Sequence, residues 1–272
     1  MDAACLEKLA ADFTLESPLN QVVIEQSGEA LTLFDRPLLG YVRAGDPLFE
    51  AFLAPGVIGP HYRTPHRWLA GAQTVVSFFL PFSQAVRAHN RAARSLPSQA
   101  WLYGRVEGQR FVEALTLHLL SALRDAGFEA VAPSLSPDFW TVSEPETTDG
   151  PAFTSNWSER HAAYACGLGT FGLSKGLITR RGMAGRFGSL VTSWEAPSTP
   201  REYDGPYDWC IRCGACVRRC PGGAISLEHG KNHHLCLQYQ TAILPQCQPR
   251  FGCGLCQTGV PCEAARPLAP KK

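Results

Sequence analysis

Cys210, Cys213, Cys216 and Cys220 are separated by two, two and three residues, and Pro221 follows at once. That spacing constrains the fold more tightly than any other feature of the chain. Two-residue gaps let one tight loop present three thiolates to three corners of a [4Fe–4S] cube, while the fourth cysteine of such a run reaches a neighbouring cube. Pro221 has no N–H to satisfy and stops the backbone from closing back over the cluster. A second group follows at Cys236, Cys253, Cys256 and Cys262. Eight thiolates fill two cubes. The spacing assigns cluster I to Cys210, Cys213, Cys216 and Cys262, and cluster II to Cys220, Cys236, Cys253 and Cys256. Cys247 is a possible substitute ligand, because the gap from Cys256 to Cys262 is longer than the usual three residues and no proline follows it. Zinc sites usually read as two CxxC pairs across a spacer, without a CxxxCP end. Disulfide frameworks belong to small secreted chains. Cys5 and Cys166 read as ordinary buried or semi-buried thiols.

Before these cysteines lie about 200 residues, enough for one large domain ahead of a small one. The apolar share of 45% is that of a globular protein, and a net charge of +1 gives no general attraction to nucleic acid or membrane. The first residues, MDAACLEKLAADF, carry acids early and no long apolar run, unlike a secretory signal. No segment approaches the roughly 20 apolar residues of a membrane span. Free thiols and iron–sulfur chemistry then point to a reducing cytoplasm.

The patterning predicts an α+β body and a boundary within the proline- and charge-rich stretch 197–208. A short helix is expected over 4–13, and a hairpin over 21–26 and 30–34 around Ser27-Gly28-Glu29. The β-branched and aromatic run 73–82 fits a buried central strand. Apolar residues at helical spacing predict a helix over 111–126, and short strands are expected at 129–131 and 188–194. A further helix over 158–165 runs into Gly167-Leu168-Gly169, with Ser155 or Asn156 as its cap.

Several body features carry two readings. Gly167-Leu168-Gly169-Thr170-Phe171-Gly172 has the spacing of a dinucleotide fingerprint, but it follows a helix and no acid stands about 20 positions on. A turn that lets backbone approach something flat or bulky is preferred. Residues 156–161 (NWSERH) are either a helix N-terminus with a solvated Arg160 or the wall of a cofactor pocket. Tyr103-Gly104-Arg105 is either a surface turn or a phenol and guanidinium lining a site. Arg180, Arg181, Arg186, Arg212, Arg218 and Arg219 could attract an anion, yet scattered solvated arginines are commoner. His61 and His66, with Arg63 and Arg67, are equally open.

The order of sequence blocks resembles the epoxyqueuosine reductase family, which is related to the corrinoid-dependent reductive dehalogenases. The resemblance rests on QTVVSFFLPF (73–82), WLYGRVEGQRF (101–111), SERHAAYACGLGTFGLSKGLIT (158–179) and FGSLVTS (187–193). It continues through CIRCGACVRRCPGGAI (210–225), Cys236 in HHLCLQYQ and FGCGLC (251–256). It implies an α+β fold, with a nitroreductase-like corrinoid-binding domain over residues 1–200 and a ferredoxin-like module with two [4Fe–4S] clusters over residues 201–272. The implied cofactors are those clusters and base-off cobalamin. Electrons would come from ferredoxin or flavodoxin, enter through cluster II (taken as the more exposed) or cluster I, and pass to cobalt, which reduces a small-molecule electrophile. The expected catalytic residues are Glu159 and Tyr103. Arg105, Asn156, His161, Gly167, Leu168 and Gly169 are expected to bind the corrinoid.

The chain also departs from the family. The proton-donating Asp of the epoxide reductases maps to about Phe153, leaving Asp149 or Glu159 to substitute from a shifted loop. No C-terminal helical extension follows the last cysteine, so a tRNA substrate is not expected, and neither is the exported dehalogenase role. Two rivals stand beside a reductase: a non-catalytic electron-transfer or corrinoid-reducing partner, and a body that binds flavin or no cofactor.

Overall fold

The computed structural model describes residues 1–142 and 153–268. Asp149, one of the two substitute donors, lies outside the described residues. The body is built on helix α1 (Ala3–Glu16), the hairpin of β1 (Gln21–Val23) and β2 (Ala30–Thr32), and strands β3 (Leu38–Arg43) and β4 (Thr74–Pro81). Helices α2 (Gln84–Ala92) and α3 (Gln99–Asp125) follow, then β5 (Ala130–Val131), helix α4 (Glu159–Ala165), and strands β6 (Gly169–Phe171), β7 (Leu177–Thr179) and β8 (Gly185–Thr192).

Strands β3, β4, β8 and β5 form one antiparallel sheet in that order, with Ser77 of β4 opposite Ser189 of β8. Every residue of β4 is buried, because both faces of the sheet are covered. Val76, Phe78 and Leu80 point into a core shared with α1 and α3. Val75 and Phe79 point into a second core with α4 and Trp157. The sheet is the middle layer of three.

Helix α3 begins at Gln99, well before the expected start at Phe111. Ser98 caps it, its Oγ accepting from the Trp101 N–H at 3.2 Å. Gly104 and Gly108 lie inside this helix as contact points. A Cβ on Gly104 would stand 2.7 Å from the Phe82 ring, and one on Gly108 would stand 2.9 Å from the Phe34 ring. The Tyr103-Gly104-Arg105 segment is therefore helix and not a turn. Strand β3 had no clear signal, since Gly40 interrupts it; that glycine lets the Cys166 carbonyl press against the strand.

The cysteine module has little regular structure. It comprises helix α5 (Ala215–Arg218), the two-residue strands β9 (Ile225–Ser226) and β10 (Gly230–Lys231), and helix α6 (His233–Cys247). Polar contacts join it to the body. Arg219 donates to the carbonyls of Ala93 and Asn90 at 2.9 and 3.0 Å. Arg250 pairs with Glu107 at 2.8 Å, and the Met183 N–H donates to the Cys262 carbonyl at 2.9 Å. Among the described residues, no helix is long and apolar enough to cross a membrane.

Candidate functional site

Four thiols bound each of two cavities. Cys210, Cys213, Cys216 and Cys262 line the smaller one, beneath Met183, whose sulfur lies 3.3 Å from Cys262 Sγ. Cys220, Cys236, Cys253 and Cys256 line the other, which opens into a large cleft. The electrostatics divide the thiols in the same way. Burial pushes Cys262 up to about 12, reinforced by Cys216, Cys210 and Cys213. Burial also pushes Cys256 up to about 12; Cys253, Cys236 and Cys220 add to it and Lys231 opposes. Helix α5 ends at Arg218, and the turn that follows takes the fourth thiol of the run to the other cavity.

Thiols this well buried favour the neutral form unless a metal takes the place of the proton. Among the described residues, no three His, Cys, Asp or Glu side chains converge as ligands of a single ion would. Thiols spread around a cavity are what a cube requires, with one sulfur at each iron corner. Gly254 shows how closely the body approaches the second set. It adopts φ +66°, and a Cβ there would collide with the Trp101 indole. The indole Nε1–H is buried without a partner. Inorganic and thiolate sulfurs accept N–H hydrogen bonds, so a cube in this cavity fits that orphaned donor. Cys247 lines neither cavity and packs with Leu102 and Ile243. Of the eight thiols in the two sets, only Cys213 is exposed at the surface. The one exposed thiol thus belongs to the first set, whereas cluster II was expected to be the more exposed.

The cleft encloses about 730 Å³. Trp101, Arg105, Gln109, Val112 and Thr116 of α3 form one wall, a stripe made by successive helical turns. Glu159 and Arg160 enter from the first turn of α4, and Gly185–Phe187 from the start of β8. Both Glu159 carboxylate oxygens are sealed from solvent and have no hydrogen-bond partner. Burial raises its pKa, while the Ser189 and Ser134 hydroxyls nearby moderate the rise without closing a bond. Arg160 presents surface to solvent yet is surrounded by protein, which places it on a concave wall. Burial lowers Arg105 and Arg160, and it lowers Arg186 to about 9, with Arg105 adding repulsion. All three remain cationic at neutral pH.

Of the eight body residues expected in the site, Glu159 and Arg105 line the cleft and the other six do not. Tyr103 lies two residues from Arg105 on α3, about 200° round the helix. Its hydroxyl accepts from the Glu25 N–H at 3.0 Å, and Arg250 covers its ring at 3.5 Å. Asn156 is fully buried and ties loops together: its Nδ2 donates to the Asp138 carbonyl at 2.8 Å and its Oδ1 accepts from the Trp140 N–H at 3.1 Å. His161 points the other way from α4, packed on Phe52 and Phe171 with Nδ1 2.8 Å from Ser158 Oγ. Burial, then Arg160 and Lys175, lowers its pKa to about 3. Gly167, Leu168 and Gly169 meet protein and not the cleft. Gly167, at φ +77°, would place a Cβ 3.0 Å from the Thr199 carbonyl, and one on Gly169 would strike Ile178. Close backbone approach was read correctly there, but its partner is the chain itself. Arg160, for which a pocket wall and a solvated face were equally open, lines the cleft, and so does Arg186, for which a solvated face was preferred. Phe153, at the expected donor position, stacks on His233 with centroids 5.5 Å apart.

A family described as a 4Fe-4S binding domain matches residues 206–226. No curated protein matches the sequence. Solved structures of similar fold include an epoxyqueuosine reductase with an epoxyqueuosine-modified tRNA-Tyr stem loop. It has a TM-score of 0.52 and 16% identity over 85% of this chain and 62% of that one. The epoxyqueuosine reductase of Bacillus subtilis gives a TM-score of 0.50 and 17% identity over 86% and 63%. A catabolic reductive dehalogenase gives 0.53 and 15% over 85% and 30%. The chain thus spans less than two thirds of these reductases' length. At such identities the likeness is one of fold: a mixed α/β body carrying an iron–sulfur motif, in an arrangement that these reductases share.

Proposed function

We propose that the protein is an iron–sulfur reductase in which two [4Fe–4S] clusters deliver electrons to a corrinoid held in the cleft, where a small electrophile is reduced. The observation that carries this reading is the division of eight thiols between two cavities, one of which opens into a large cleft with a sealed carboxyl in its wall. Residues 1–200 would form the cofactor-holding body and residues 201–272 the electron-delivery module. Electrons would enter from a low-potential donor such as ferredoxin or flavodoxin on the side of the exposed Cys213, and leave through the set that faces the cleft.

The cleft suits a macrocycle fringed with amides. Phe139 and Phe187 offer apolar surface, and Ser134, Ser155, Ser174 and Gln109 offer hydroxyl and amide groups. No histidine lines it among the described residues. A bound corrinoid supplies a strongly reducing cobalt centre, and the rest falls to the chain. Cleaving a bond to a leaving anion consumes two electrons and one proton. Glu159 is the proton donor, because its dry surroundings keep the carboxyl protonated further toward neutral pH than in water. The orphaned Trp101 Nε1–H would serve as a donor to a cube held by the cleft-side thiols.

Metal analysis of anaerobically reconstituted protein, followed by a cobalamin titration read in the ultraviolet–visible spectrum, tests the reading. About eight irons per chain and a base-off spectrum at neutral pH are expected. Zinc in place of iron would overturn it, and an unchanged cobalamin spectrum would leave only an electron carrier.

A further inference from the structure

Three arginines from three separate elements, Arg105 of α3, Arg160 of α4 and Arg186 of β8, face one cleft. Among the described residues, none of them is ion-paired with a carboxylate. Their contacts are neutral. Arg160 Nη1 donates to the Lys175 carbonyl, Arg186 Nη2 to Gln109 Oε1, and Arg105 lies over the Phe251 ring at 5.7 Å. Each contact leaves most of the five guanidinium donors free. Among the described residues, the fourth cation of the cleft is Lys231, and its acids are Glu113 and Glu159. Glu113 accepts from Gln109 Nε2 at 3.0 Å, and Glu159 is held toward its neutral form. Like charges gathered on one partly exposed wall repel one another unless an anion joins them.

Arg105 also lies against Phe251 and Gly252, which precede the cleft-side thiol Cys253, so it borders the cluster cavity, while Arg160 and Arg186 reach the cleft from α4 and β8.

We propose that the wall formed by Arg105, Arg160 and Arg186 binds the anionic group of the molecule reduced in the cleft, so that the substrate is a small organic carboxylate or phosphate ester. Guanidinium forks match both groups by paired hydrogen bonds. This inference rests on the reductase reading for the word substrate, but the binding it requires stands without turnover. The corrinoid's own phosphodiester is the other source of such an anion.

Isothermal titration calorimetry of anaerobic, iron–sulfur-loaded, corrinoid-free protein separates these cases. Benzoate and phenyl phosphate are compared with neutral benzamide at fixed ionic strength. The two anions are expected to bind at least about tenfold more tightly than benzamide, the scale of one charge-assisted hydrogen bond. Arg160→Gln and Arg186→Gln are each expected to remove that preference, while Arg160→Lys and Arg186→Lys keep part of it. Arg110→Gln, which removes an exposed arginine on the outer side of α3, is expected to leave it intact. Equal binding of benzoate and benzamide to the native protein would overturn the inference, as would glutamine variants that bind the anions undiminished. In a second arm, the same variants are titrated with cobalamin and with cobinamide, which lacks the phosphodiester. Equal affinity changes for the two are expected; selective loss of cobalamin would reassign the wall to the cofactor and overturn the substrate assignment. Failure of native protein to bind any corrinoid would sink the reductase reading, whereas a benzoate preference in that protein would still support the anion wall.

Discussion

At the residue scale, neighbours in sequence part company in role. Glu159 and His161 differ by two positions on α4, so one faces the cleft and the other the apolar core. The raised pKa of Glu159 means that the native state holds a proton which the unfolded chain has already released above about pH 4.3. The stability linked to that proton is complete below the unfolded value and is lost as pH rises through the raised folded value. Turnover that depends on the donor falls across the same window. Glu159→Gln is expected to flatten the pH dependence of thermal unfolding there and to lower single-turnover rates about 10²-fold or more; an unchanged rate would remove Glu159 from the chemistry. Tyr103→Phe should do the reverse. Its hydroxyl serves only the Glu25 N–H, so the variant is expected to lose about 1 kcal/mol of stability and no activity. Denaturant titration and a turnover assay measure the two.

At the element scale, the long helix α3 decides the geometry. One face packs Phe111, Leu115 and Leu119 into the core, and another carries Trp101, Arg105 and Gln109 down the cleft wall. Its apolar rhythm was legible from Phe111 onward, but the N-terminal turns were not, because Gly104 and Gly108 imitate a loop. Only the opposing Phe82 and Phe34 rings explain them. Gly254 plays the matching part in the cysteine module. A side chain there meets the Trp101 indole and also strains a left-handed backbone, by about 1 kcal/mol. Gly254→Ala is therefore expected to lower iron content from about eight to about four per chain while leaving the far-ultraviolet circular dichroism of the body unchanged. Full iron retention would show that Trp101 does not set the shape of that cavity.

At the scale of the whole molecule, the fold joins a run of cysteines to a distant set and points one of the two groups at the body. Paired substitutions test that partition. Cys220→Ser with Cys253→Ser removes two ligands of one proposed cube, so about four irons should remain; Cys220→Ser with Cys262→Ser strikes both cubes and should leave almost none. If Cys220 instead belonged with the rest of its run and Cys262 with the second set, both double variants would strike both cubes and leave almost no iron. Electron paramagnetic resonance of the reduced proteins, with iron analysis, reads the difference.

The cysteine spacing by itself limited what this chain can be, because iron–sulfur ligation is written in gaps of two and three residues along a single loop. The central strand 74–81 was equally plain, since burial on both faces demands an unbroken apolar run. Tertiary structure alone decided which polar residues of the body share a cleft. Arg105, Arg160 and Arg186 come from three elements far apart in sequence, and although Arg105 and Arg160 each carried a pocket reading beside a bland one, nothing local joined them to Arg186. Their meaning is collective: like charges brought together on one cleft wall acquire a chemistry that no single position along the chain expresses.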